Sequence, residues 1–293
     1  MKRLRLTTFT PVSKLTNGLL ERLKNNESSL KRLIFSARNL GNQGVELLAE
    51  ALCANSCLEA LDLSSNRIDA RGAYYIALLL AYQSEMMKST PGVGGGIKSL
   101  ILGDNELRDE GIRSIANALE NNEILESLWI DNNCIGAAGL EVLANSLKKN
   151  DKLERLHLKH NSFQSLSPLL RCTFNKESLE AIADSNHTLK HIFLDCGYTY
   201  ECNELEFVLK LNRMGRVKAR RIKLALYLEA DMSMLFEHDM EPKALPNILE
   251  MLVETKNLST VFSAMRNLSS AALMFREDND ELEGDPMDIE YLM

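Results

Sequence analysis

The 293-residue chain contains no run of 18 apolar residues, no C-x-x-C pair and no excess of basic charge. The first absence excludes a transmembrane helix. Met1–Leu6 carries two Arg and one Lys with no hydrophobic stretch behind it, so a secretory signal is not read either, and the expected location is cytoplasmic, with the nucleus open. The six cysteines, at 53, 57, 134, 172, 196 and 202, show no zinc-ligand or thioredoxin-type spacing. Lys plus Arg is 34 against 41 for Asp plus Glu, so the formal charge of −7 disfavours non-specific binding to phosphate backbones. Sequons at Asn26, Asn186, Asn257 and Asn267 read as chance in a chain without a secretory signal.

What is present is a repeat. The segments Leu30-x-x-Leu33-x-Phe35, Leu58-x-x-Leu61-x-Leu63-x-x-Asn66, Ile97-x-x-Leu100-x-Leu102-x-x-Asn105, Leu125-x-x-Leu128-x-Ile130-x-x-Asn133, Leu153-x-x-Leu156-x-Leu158-x-x-Asn161 and Leu189-x-x-Ile192-x-Leu194 superpose. Leu30 to Leu58, Ile97 to Leu125 and Leu125 to Leu153 are each 28 residues; the steps of 39 and 36 residues carry insertions of 11 and 8. Between the strands, Gly44, Gly72, Gly111 and Gly139 open helical patterns with apolar residues three and four apart. Asn55, Asn122, Asn150 and Asn186 follow those helices, where a residue tolerant of left-handed backbone would close the last turn. One strand and one helix cannot bury an apolar face alone, so the units must stack, strands side by side in a parallel sheet and helices outside. Leu4-x-Leu6 and the Leu15–Asn25 pattern read as a degenerate first turn.

These residues resemble the ribonuclease-inhibitor type of leucine-rich repeat over about residues 1–200, with Arg38 and Gly197 departing from the asparagine position. The resemblance implies an α/β solenoid, parallel strands on a concave face and helices on the convex one. It also implies protein–protein recognition on the concave face, with no catalysis and no cofactor. A rival comes from the same repeat type, because Ran GTPase activators use it with loop residues acting on the nucleotide. Arg38, Arg67 and Arg108 lie in strand-to-helix loops and are the candidates for that role.

Strand alternation converts the repeat into a surface map. The central outward column is Ile34, Asp62, Ile101, Trp129, His157 and Phe193. The column before it is Arg32, Ala60, Ser99, Ser127, Arg155 and His191, and the column after is Ser36, Ser64, Gly103, Asp131, Lys159 and Asp195. An aromatic centre formed by Trp129 and Phe193 with Ile101 and His157, rimmed by Arg155, Lys159 and Asp131, has the make-up of a binding hot spot. Asn66, Asn105, Asn133 and Asn161 form a row expected to satisfy buried backbone groups where each strand turns into its loop.

Other motifs fail. Gly92-Val93-Gly94-Gly95-Gly96-Ile97-Lys98-Ser99 resembles a phosphate loop, but Ile97 interrupts Gly-Lys-Ser and a strand follows, so Gln83–Gly96 reads as a flexible bulge. His157, His160, His187 and His191 cluster in sequence, His187 and His191 at a spacing compatible with one helical face, without the converging ligands a metal requires. No nucleophile motif occurs.

Beyond Gly197 the repeat stops. A long helical pattern over Asn203–Ala230 includes six basic residues within Arg213–Lys223, a possible contact for a charged partner. Helices are expected at Pro242–Thr255 and Leu258–Phe275, making a helical extension over 201–276. Eight acidic residues in the fourteen of Glu277–Glu290 mark 277–293 as a disordered tail, a second possible contact for a charged partner. Leu211-Asn212-Arg213-x-Gly215-Arg216 resembles a C-terminal extension of leucine-rich-repeat proteins from diatoms and related algae, for which capping the stack is the expected role.

Overall fold

A computed structural model describes residues 2–5, 17–26, 30–89, 95–195 and 200–228. The expected helices at 242–255 and 258–275 and the acidic tail lie outside them. Seven strands, β1 (Lys2–Arg5), β2 (Leu30–Ile34), β3 (Ala60–Asp62), β4 (Ser99–Ile101), β5 (Ser127–Trp129), β6 (Arg155–His157) and β7 (His191–Phe193), form one sheet in chain order, every neighbour parallel. Between them run α1 (Asn17–Lys24), α2 (Gly41–Leu52), α3 (Ala70–Ser89), α4 (Arg108–Leu119), α5 (Ala137–Lys149), α6 (Ser167–Thr173) and α7 (Leu179–Ala183). The chain closes this unit with α8 (Tyr200–Arg213) and α9 (Arg216–Leu228).

The repeat period is the cause of the register. Leu33, Leu61, Leu100, Leu128, Leu156 and Ile192 are Cα partners from strand to strand, so identical positions stack into one apolar row. Leu61, Leu100, Leu128 and Leu156 are at most 2% exposed, and burying each such side chain is worth about 1.5–3 kcal/mol. The helices meet them with Val45 and Leu48, Ile76 and Leu80, Ile112 and Ile115, and Leu140 and Leu143. In α3 and α5 the glycine near the start of the helix is there because the preceding turn is close: a Cβ on Gly139 would sit 2.5 Å from Asp109 Oδ1, and one on Gly72 2.6 Å from Asn42 Oδ1.

Four expectations are corrected. Asn55, Asn122, Asn150 and Asn186 do not adopt left-handed backbone; they are buried and act through their side chains. In Asn150, Nδ2 donates to Leu119 O (2.6 Å) of the previous turn, while Oδ1 accepts from Lys152 N and Leu153 N (3.0 and 2.7 Å) at the entry to the next strand. Asn55, Asn122 and Asn186 repeat this pattern, giving a second asparagine row at the opposite corner.

The Gln83–Gly96 stretch is not a bulge from its start, because α3 continues to Ser89. Gln83 points inward there: Nε2 donates to Leu52 O (2.9 Å) and Oε1 accepts from Ile97 N (3.2 Å), doing for the inserted repeat what asparagine does for the others. The basic helical pattern is broken in two at Gly215, whose φ of +100° suits glycine. His187 and His191 share no helical face, since His191 lies in β7 and His187 precedes it outside any helix.

The first compact unit extends to Leu224. The reason is that α8 and α9 finish the stack. Leu205 and Leu209 join the core, and buried Asn212 donates to Leu189 O (2.7 Å), extending the second asparagine row by one more position. Arg213 Nε donates to Lys190 O (3.0 Å), and Arg216 pairs with Asp151 (2.7 Å). These bonds tie the Leu211–Arg216 segment to the last two repeats.

Candidate functional site

The three outward columns are in register. Ile101 pairs with Trp129, Trp129 with His157 and His157 with Phe193, while Ser127, Arg155 and His191 are partners in the column before. Ile34, at the start of the central column, is a correction: it is buried, with Arg5 of β1 as its partner on the sheet edge.

The aromatic members stack. Trp129 and His157 rings lie 3.6 Å apart and 10° from parallel, and His157 and Phe193 3.9 Å and 18°. Adjacent parallel strands are about 4.7–4.9 Å apart, which lets planar side chains from one column lie on each other. Trp129 Nε1 donates to Ser127 Oγ (3.0 Å), fixing the indole orientation. Trp129 and His157 are half-buried within the stack, whereas Phe193 at its end is exposed. Arg155 and Lys159 are exposed on either side of His157.

Charge follows from this packing. Burial, reinforced by the Lys159 and Arg155 cations, pushes the His157 imidazole down to about 4, so the ring is neutral at pH 7 and the stack is uncharged. Asp131 is less free than its rim position suggests: Oδ1 accepts from Lys159 N (2.7 Å), and burial raises its carboxyl above the ordinary carboxylate range. Along the strand entries, Lys31–Glu59, Lys152–Glu126 and Lys190–Glu154 are ion pairs at 2.7, 3.4 and 2.7 Å, so that edge is largely self-neutralised.

The Asn66, Asn105, Asn133 and Asn161 row underlies this face. Asn105 Oδ1 accepts from Asn66 N and Ile68 N (both 3.0 Å), while Nδ2 donates to Leu63 O and Leu102 O (3.1 and 2.8 Å). Asn66 and Asn161 repeat the arrangement, and Asn133 bridges Leu102 O to Leu107 N.

Other candidates are dispersed. Arg67 is exposed in a loop, Arg108 is exposed as the first residue of α4 rather than in a loop, and Arg38 is half-buried. His160 Nδ1 meets Asp195 at 2.7 Å, and among the described residues no three His, Cys, Asp or Glu groups converge as metal ligands. No helix among them is long and apolar enough to cross a membrane. The basic run is not a continuous patch, since Arg213 and Arg216 are paired and Lys223 is inside the protein. Lys223 Nζ donates to Thr173 O (2.6 Å) and Asn212 Oδ1 (2.8 Å), and burial lowers its pKa to about 7. Sequence reasoning missed this lysine, although its spacing from Ala219, also buried, puts it on the inward side of α9. The bond between Trp129 and Ser127, which is itself buried, was likewise legible only as two residues expected in adjacent outward columns.

Comparison with known proteins agrees with the repeat geometry. A family model described as Leucine Rich repeat matches residues 54–77 and 97–116. Pig (Sus scrofa) ribonuclease inhibitor is 28% identical over 129 residues, covering 37% of this chain and 28% of that protein. Chicken (Gallus gallus) leucine-rich repeat-containing protein 45 is 31% identical over 120 residues, 40% of this chain and 16% of that protein. The chain thus spans less than a third of the length of either relative. Among solved structures, leiomodin-1 actin-binding site 2 aligns with a TM-score of 0.42 at 17% identity, covering 74% of this chain and 98% of that one. The Caenorhabditis elegans tropomodulin C-terminal domain aligns with a TM-score of 0.44 at 13% identity, covering 70% and 96%. Neither alignment is close enough to bear on function. The 28-residue period, the all-parallel sheet, the asparagine rows and the leucine-rich-repeat match at residues 54–77 and 97–116 agree: this chain carries leucine-rich repeats similar to those of ribonuclease inhibitor.

Proposed function

We propose that the chain is a non-catalytic recognition scaffold that docks another protein on the concave face of its sheet, centred on the Trp129–His157–Phe193 stack. The observation that carries this reading is the stack itself. Three rings in contact, ending on an exposed phenyl group and flanked by Arg155 and Lys159, offer a preorganised apolar surface with a cationic rim. Aromatic and arginine side chains dominate binding energy in protein interfaces, and a rigid platform loses little side-chain entropy on binding. Because His157 is neutral at pH 7, no desolvation of an imidazolium opposes docking.

Affinity purification with wild-type and Trp129→Ala baits tests the reading. Hot-spot truncation costs about 2 kcal/mol or more, so specific partners are expected to bind at least roughly 30-fold more weakly to the variant. Retention of every partner at wild-type affinity would remove the concave stack from the interface. Stimulation of GTP hydrolysis by a Ran-like protein, lost in Arg67→Ala, would favour the GTPase-activator alternative.

A further inference from the structure

A second surface lies on the helical side and is independent of the concave reading. Of the eight large hydrophobic side chains exposed among the described residues, five belong to α3: Tyr74, Leu78, Tyr82, Met86 and Met87. This helix has 20 residues where α2, α4 and α5 have 12, 12 and 13. Its inward side is filled by Gly72, Ala73, Ile76, Leu79 and Leu80 against the core, so the exposed set is a different stripe of the same helix. Tyr74, Leu78 and Tyr82 are four apart and 52%, 47% and 46% exposed. Residues at that spacing lie on one face of an α-helix and form a continuous apolar ridge.

The ridge is symmetric about its middle. Tyr74 and Tyr82 stand four residues to either side of Leu78, and the exposed Arg71 and Glu85 stand seven to either side. If two copies of α3 lie antiparallel with the two-fold axis at Leu78, leucine meets leucine, each Tyr74 meets the other copy's Tyr82, and each Arg71 meets the other copy's Glu85. A parallel pairing would oppose Arg71 to itself and Glu85 to itself. The charges therefore select the orientation, and the self-complementary pattern is that of an isologous dimer. Both groups have exposed local partners that the reciprocal pairs would replace: Arg71 reaches the Tyr75 hydroxyl, and Glu85 lies 3.5 Å from Lys88, which is shared with Glu123.

We propose that a second copy of this chain docks on α3, antiparallel, with Leu78 at the two-fold axis and reciprocal Arg71–Glu85 pairs at its ends. From Arg71 to Glu85 a helix rises about 21 Å, an interface at the small end of the specific range, so association in roughly the micromolar range is expected.

Sedimentation of the full chain across about 1 to 100 µM, a span that brackets such a constant, reads the monomer–dimer equilibrium. Wild type is expected to dimerise with concentration. Leu78→Arg should remain monomeric with an unchanged circular-dichroism spectrum and melting temperature, because the side chain is exposed. Arg71→Glu and Glu85→Arg should each weaken the dimer at least about tenfold, and the double swap should restore it. In a Cys134→Ser background, Leu78→Cys should give a disulfide-linked dimer on mild oxidation. A chain monomeric throughout overturns the proposal. So does a dimer indifferent to Leu78→Arg, one abolished by Trp129→Ala instead, or one that the double charge swap fails to rescue.

Discussion

Each asparagine at a strand-to-helix corner serves two turns of chain at once. In Asn133, Nδ2 donates to Leu102 O (2.9 Å) in the preceding repeat and to Asp131 O (2.9 Å) in its own, so truncation strands carbonyls in both. An unsatisfied buried polar group costs about 1–3 kcal/mol, and Asn133→Ala is therefore expected to lose about 2–4 kcal/mol, read as a lower urea midpoint with unchanged slope. His157 sets a pH limit by the same reasoning. Its folded pKa near 4 lies below the ordinary 6.5, so the unfolded chain binds the extra proton as pH falls. Stability is unpenalised above pH 6.5 and declines as pH drops from 6.5 toward 4. The buried His187, also lowered to about 4, acts in the same direction. Thermal melts over this window should show a shallower decline for His157→Phe than for wild type.

At the scale of elements, the inserted second repeat depends on one close approach. A Cβ on Gly95 would lie 1.8 Å from the backbone oxygen of Ser56, a neighbour with no side-chain freedom to yield. Gly95→Ala is expected to cost at least about 2 kcal/mol in chemical denaturation, while Gly18→Ala, with nothing within 4 Å, should be stabilising or neutral. This part of the chain also marks the boundary of what sequence reveals. Strand positions and the order of the outward columns follow from period alone, because Leu61, Leu100, Leu128 and Leu156 cannot be buried together in any other register. Gln83 could not be read that way, since it bonds Ile97 fourteen residues downstream across a glycine-rich segment that looks like loop. Asn55 and its equivalents were visible as a row, but their backbone could be misassigned because asparagine suits both left-handed turns and side-chain bridging. Trp129, His157 and Phe193 were legible as one column. Their stacking was not, since it depends on rotamers that only neighbouring side chains select.

For the whole unit, the far end is sealed by a lysine. With no exposed surface, Lys223 has a pKa near 7 against an ordinary 10.5, so between those values the unfolded chain carries the proton and the folded one does not. Stability should rise with pH across that interval by at most about 1.4 kcal/mol per pH unit, and the difference from Lys223→Met should be measurable in urea titrations at pH 7 and pH 9. The other consequence is architectural. Because each corner amide reaches its neighbours at a fixed sequence offset, removing residues 125–152, one full period, would set Ile124 against Leu153, Ile101 beside His157 and Asn105 beside Asn161. Such a shortened chain should still fold, at a lower melting temperature, with its tyrosine ridge intact and its indole gone. The molecule behaves as a ruler from which one graduation can be cut, separating what the fold needs from what the outward rings are for.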